Sequence, residues 1–494
     1  MTVQKDIEYS SCQDAGISAD AIIAMLDDLQ ANDLELHAIT ILKNNKLVAE
    51  GSWYPFEQGE PHRLFSATKS FLSTALGIAY DQKKIRLHDK VLSFFPEIAI
   101  GRQSVYLSNL TIHHLATMSM GQQFEPFFHH DLDIISQTLN KPIIKEPGSI
   151  YYYSSAYSHV LSAIISKVMQ QSMEEVLQKY LYEPLNITHA FCEEDKNGVS
   201  CGGWGYHMTT HDLAKLGLLY LNNGVYNGKR ILSAEWVRLA TSQQITTDRE
   251  YSSDKYANTN GYGYHWWLCR NNGYRASGLF GQTCFVYPDQ RLVVACSSAV
   301  SGSQPIMDRI EKYLLSACDQ GGIVSAEKQH QLAYLLANLR LREDHHHHTS
   351  YFAERINHRD LPVISNSGIY QFVRFDFTDD KTLHFGIKKA GQWYTIACGY
   401  EQWLKAADDS MVDFVPWKRK AYSYLKKSEY YTASKQSAYY TWKEDTELEI
   451  NMRFSDRAIR LKWFIRFDWD DIRITYDPAC CEPAEPPVEI AVRI

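Results

Sequence analysis

Ser66-Ala67-Thr68-Lys69 stands just after Leu64-Phe65 and just before an apolar run of Phe71, Leu72, Ala75, Leu76, Ile78 and Ala79. The spacing of that run predicts a helix of about four turns with Ser66 at its mouth. Residues three apart share a helix face, which puts Lys69 directly beneath the serine hydroxyl. Serine becomes a nucleophile when a neighbour takes its proton, and lysine takes a proton once burial lowers its pKa. The positive end of the helix adds a partial charge near a developing oxyanion. In this setting S-x-x-K reads as a nucleophile-and-base pair. The pattern by itself is common: Ser252-Lys255, Ser325-Lys328 and Ser423-Lys426 repeat it. Ser252 falls in a polar loop and Ser423 in a strand-like stretch, while Ser325 opens a helix as an N-cap.

Two downstream segments separate Ser66 from those copies. Pro147-Gly148 makes a turn into Tyr151-Tyr152-Tyr153-Ser154-Ser155, followed by a helix through His159-Val160-Leu161-Ser162-Ala163-Ile164-Ile165. A phenol at such a turn can project into a cleft and shuttle protons when cations surround it. The chain holds 32 tyrosines, so packing accounts for most of them. Farther on, Arg275-Ala276-Ser277-Gly278-Leu279-Phe280-Gly281-Gln282 leads into a β-hairpin, Thr283 to Tyr287 and Arg291 to Cys296. Glycines where a strand begins let a substrate approach the backbone, and N–H groups there can complete an oxyanion hole.

In this order and spacing the three segments resemble the serine β-lactamase and penicillin-binding-protein superfamily, nearest its class C, D-alanyl-D-alanine carboxypeptidase and esterase branch. Leu87-His88-Asp89-Lys90-Val91, Leu110-Thr111-Ile112-His113-His114-Leu115, Glu183-Pro184-Leu185, Thr210 to Gly217, Asn227 to Ser233 and Gly261-Tyr262-Gly263-Tyr264 before Trp266-Trp267 are similar to further blocks of that branch. The resemblance runs over about residues 15 to 320. It implies that Ser66 is acylated, that Lys69 takes or shares its proton, and that Tyr153 is the second proton-transfer group. It also implies an oxyanion hole from the backbone N–H groups of Ser66 and Leu279, and substrate contacts at Ser155, Ser277 and Gly278. There are two departures. Ser155 stands where the Y-x-N motif has asparagine, and Ala276 opens the third motif where a lysine or histidine would meet a substrate carboxylate. Arg275 is adjacent, but along a strand its side chain faces the other way. The esterase and amidase members fit these losses better than true β-lactamases or carboxypeptidases do. A binding or regulatory protein that kept the fold and lost the chemistry stays open beside a serine hydrolase acting on a small ester, amide or peptide. No cofactor is implied.

The bulk properties agree. The chain has 494 residues and a formal net charge of -8, with no basic footprint for nucleic acid. No apolar run approaches the roughly 20 residues of a membrane span. The start, Met1 to Glu8, has no signal-peptide core, and the ten cysteines lack metal-type spacing. Reduced thiols in a cytoplasm are the expectation.

The expected architecture is α+β. A hairpin, Leu36–Leu42 and Leu47–Trp53, and the strands near 262–300 form one antiparallel sheet around a helical insertion. That hydrolase domain covers 1–320. A helix and a His-rich linker (His345 to His348) fill 321–360. Short aromatic-rich strands over 361–494 predict a second, all-β domain, a lipocalin-like barrel or a sandwich.

Overall fold

The computed structural model describes residues 6–98, 105–123, 125, 133–247, 260–318, 325–343, 346, 349–365, 369–379, 381–400, 402–406, 410–411, 435–456, 458–477 and 488–494. The chain divides into two compact units.

The first unit, 1–52 with 61–338, is built on a six-stranded sheet. Helix α1 (Ala19–Ala31) precedes the hairpin β1 (Leu36–Lys43) and β2 (Lys46–Ser52). The helical insertion carries α2 (Thr68–Asp81), α3 (Ser155–Met169) and α4 (Thr210–Leu221). The chain then returns as β3 (Trp267–Leu268), β4 (Tyr274–Gly278), β5 (Gln282–Tyr287) and β6 (Leu292–Ser298). The strand order is β2-β1-β6-β5-β4-β3, all antiparallel. β1 pairs with β6, Ile39 against Cys296 and Ile41 against Val294, so the two ends of the segment meet at the centre of the sheet. α2 is buried on every face from Thr68 to Ala79, its small and polar residues Thr68, Lys69, Ser70, Ser73 and Thr74 included, in the middle of a large core. The first unit continues past 320 to Asn338 and includes the helix Ala326–Ala337.

The second unit holds the short segment Trp53–Glu60 together with 339–420 and 431–494. Its strands are β7 (Leu361–Ser365), β8 (Tyr370–Asp379), β9 (Thr382–Lys389), β10 (Gln392–Tyr400), β11 (Gln436–Glu444), β12 (Glu447–Phe454), β13 (Arg460–Phe467), β14 (Asp471–Asp477) and β15 (Val488–Arg493). They run in the order β10-β9-β8-β7-β15-β14-β13-β12-β11, β10 joins β11 to close a nine-stranded barrel, and a tenth short strand, Leu404–Ala406, pairs with β11 at Gln436–Ala438 beside that join. Alternation fills the interior: Leu461, Trp463, Ile465 and Phe467 point in from β13, while Lys462, Phe464 and Arg466 point out. The helix Tyr351–Ile356 adds Phe352, Ala353 and Ile356 to the same core. The barrel form, one of the two expected, is therefore the one present. Of the four histidines, only His346 lies within the described residues, and Cys480 and Cys481 lie outside them. Among the described residues no helix is long and apolar enough to cross a membrane.

Candidate active site

Ser66 lies in a single 3-10 turn, Phe65–Ala67, that runs directly into α2. The Lys69 ammonium donates to Ser66 Oγ at 3.1 Å, to Ser155 Oγ at 3.2 Å and to the Gly203 carbonyl at 2.7 Å. Lys69 is 1% exposed. Burial pulls its pKa down to about 7, against the opposite pull of the Glu125 carboxylate. The serine–lysine contact is the one the helical spacing predicts.

α3 brings the second segment in. Ser154 is its N-cap and accepts the Ala156 N–H, and Ser155 is its first residue. Tyr153, just before the cap, lays its ring over Lys69, with Nζ 4.6 Å from the ring centre. The ring stacks on Trp267 at 5.4 Å and meets Tyr262 edge-on at 6.4 Å. Tyr262 and Trp267 were quoted above only as part of a similar block, and here they form the aromatic support of Tyr153. A Cβ on Gly203 would stand 2.6 Å from the Ser155 carbonyl, so only glycine lets this turn come close enough to offer Lys69 its carbonyl.

β4 delivers the third segment. A Cβ on Gly278 would collide with the Leu64 carbonyl, so the strand end presses on the Ser66 turn and places Leu279 beside it. Ser277 Oγ donates to Ser303 Oγ at 3.2 Å. Phe65, just before Ser66, and Phe280, just after Leu279, both have positive φ, 48° and 63°. Bulky residues seldom take that conformation, and it concentrates at functional sites. The two rings meet edge to face at 5.3 Å. Ala276 is fully buried. The Arg275 guanidinium lies 3.2 Å from Cys269 Sγ, 3.7 Å from Met307 Sδ and 5.9 Å from the centre of the Trp267 ring.

Two further groups complete the surroundings of Lys69. Glu125 Oε2 accepts the Ser155 N–H at 2.7 Å. His265 is buried, and burial with the nearby Lys69 charge holds its imidazole down at about 3, so it is neutral. Neither was singled out from the sequence. Of the other S-x-x-K copies, Ser325 caps its helix as expected, and the Ser252 and Ser423 copies lie outside the described residues.

The Beta-lactamase family profile matches residues 27–318. The 6-aminohexanoate-dimer hydrolase of Paenarthrobacter ureafaciens is 25% identical over 303 residues, 55% of this chain and 75% of that protein. A β-lactamase-like protein from Bacteroides dorei DSM 17855 superposes with a TM-score of 0.51 at 16% identity, over 60% of this chain and 99% of that one. A penicillin-binding-protein homolog from Caulobacter crescentus gives a TM-score of 0.49 at 14% identity, over 65% and 98% of the two chains.

Proposed function

Because this chain belongs to the β-lactamase family of serine hydrolases, we propose that it cleaves small esters or amides without a required carboxylate, through an acyl-enzyme on Ser66. The observation that carries this reading is Lys69 Nζ at 3.1 Å from Ser66 Oγ with a pKa of about 7. At neutral pH a large fraction of Lys69 is an amine, and a base works best with a pKa near the working pH. Lys69 takes the Ser66 proton as Oγ attacks the carbonyl carbon. The backbone N–H groups of Ser66 and Leu279 receive the oxyanion. The proton then leaves Lys69 for the departing alkoxide or amine. The Ser155 hydroxyl, 3.2 Å from Nζ, and the Tyr153 phenol are the groups that relay it. Water then hydrolyses the acyl-enzyme by the reverse transfers.

Substrate preference follows from Ala276 and Arg275. No lysine or histidine stands at 276, and the buried Arg275 guanidinium packs against Cys269, Met307 and the Trp267 ring. Short aryl esters ask for a serine, an oxyanion hole and an apolar wall. The relative named for a 6-aminohexanoate dimer supports a small amide as the other candidate. The eight cysteines among the described residues, seven of them buried, support a reducing compartment, the cytoplasm. The test compares kcat/KM for p-nitrophenyl butyrate, nitrocefin and a D-Ala-D-Ala peptide. The ester is expected to lead. Efficient nitrocefin turnover would overturn the reading of Ala276.

A further inference from the structure

We propose that Glu125 is a positioning residue of this site: its carboxylate holds the first turn of α3 against Lys69 and sets the charge beside which the Ser66–Lys69 pair works. The inference rests on the reading of Ser66 and Lys69 as the reacting pair. Glu125 lies in a loop 28 positions before Tyr153 and belongs to no motif. Its Oε2 accepts the Ser155 N–H at 2.7 Å, and the same residue's Oγ sits 3.2 Å from Lys69 Nζ. One residue thus links the carboxylate to the amine.

A helix start leaves N–H groups to be satisfied, and any acceptor can do that. Ser154 already caps α3 through the Ala156 N–H. A carboxylate brings something an uncharged cap does not, a negative charge near Lys69. The other groups facing Lys69 are the hydroxyls of Ser66 and Ser155, the Gly203 carbonyl, the Tyr153 ring and His265. None of these is an anion. Glu125 opposes the desolvation of Lys69, and its charge also raises the phenol pKa of Tyr152 and Tyr157, in each case behind the larger effect of burial. Burial alone would leave Lys69 a weaker base. The carboxylate restores part of its proton affinity, which a base needs to draw the proton off serine.

The full-length protein, labelled with 13Cε-lysine, tests this directly. The Lys69 signal is identified by its loss in Lys69→Met. Glu125→Gln keeps an oxygen for the Ser155 N–H and removes the charge. Its Lys69 titration midpoint is expected to fall by roughly half a pH unit or more. The acid limb of Ser66 labelling by a fluorophosphonate should move to lower pH by the same amount. Glu125→Asp keeps the charge and should return the midpoint toward the wild-type value. Superimposable titrations of wild type and Glu125→Gln, or an equal shift in Glu125→Asp, would overturn the proposal and leave Glu125 a simple helix cap. Failure of wild-type Ser66 to take label overturns the acyl-enzyme reading instead, while the lysine titration still decides the role of Glu125.

Discussion

Ser66 and Lys69 share their spacing with Ser325 and Lys328, and both serines stand where a helix begins. At 325 the serine Oγ accepts the backbone N–H of Lys328 at 3.2 Å. The Lys328 side chain, 41% exposed, reaches out to Asp20 at 3.1 Å. At 66 the serine sits one short turn ahead of the helix proper, and its Oγ meets the lysine ammonium. A hydroxyl that caps a helix is occupied by the backbone. A hydroxyl set before the cap can face a side chain. Position relative to the helix start decides which serine can react, and burial decides which lysine can serve as a base.

The sharpest way to break this comparison is to remove each serine. Ser66→Ala should lower ester turnover by at least about four orders of magnitude with the fold intact, while Ser325→Ala should turn over at the wild-type rate. Intact-protein mass after fluorophosphonate treatment checks the same point, and a label mapping to Ser325 would reverse the assignment. Exchanging the lysines is next in size. Lys69→Arg keeps the charge and cannot deprotonate, so acylation should drop about 100- to 10 000-fold. Lys328→Arg should be silent. In the wild type, kcat/KM should fall as pH drops through about 7, where Lys69 gains its proton.

A third test asks whether burial acts on a carboxyl with the opposite sign. Glu174 is partly exposed as a residue, yet its Oε2 is shut off from water and has no hydrogen-bond partner among the described residues. Desolvation raises its pKa from 4.5 to about 8. Between those values the folded state binds more protons than the unfolded one, so stability falls as pH rises from 4.5 to about 8. Glu174→Gln should remove that slope and gain roughly 2 kcal/mol at pH 8, with no gain below pH 4.5, by urea denaturation at each pH. The smallest effect belongs to the cap itself. Ser325→Ala should cost about 1 kcal/mol in the same denaturation assay. A larger loss would mean that the hydroxyl does more than cap.

The sheet was legible because its strands are short apolar runs, buried along nearly their whole length, and Asn44-Asn45 and Pro288-Asp289 break them into hairpins. Pairing β1 with β6 needed only the observation that strands sit at both ends of a helical segment. Lys69 under Ser66 followed from helix periodicity alone. Glu125, Gly203 and His265 did not, since each comes to the surroundings of Lys69 from a turn or irregular segment distant in sequence, and local sequence carries no trace of that approach. The positive φ of Phe65 and Phe280 was equally hidden, because phenylalanine gives no composition signal for it. The helix opened by Ser325 ends at Ala337, where Asn338 caps it. In the second unit the alternation showed strands, but choosing a barrel over a sandwich took the β10–β11 contact, a pairing of strands separated by 35 residues of intervening chain.

That contact follows from parity. Nine strands joined neighbour to neighbour in antiparallel fashion leave the first and last running the same way, so the ring can close only in parallel. The join is also short, Gly399 with Tyr439 and Tyr400 with Tyr440. Parallel pairing is slightly weaker per residue than antiparallel. The barrel therefore has a built-in seam, and amides along it should be the first of the ring to exchange with deuterium. Opening there would bare the edge of β10 and the stretch of β11 that Leu404–Ala406 does not cover, the kind of surface that recruits other chains. The odd strand count thus marks where this unit is most exposed to aggregation.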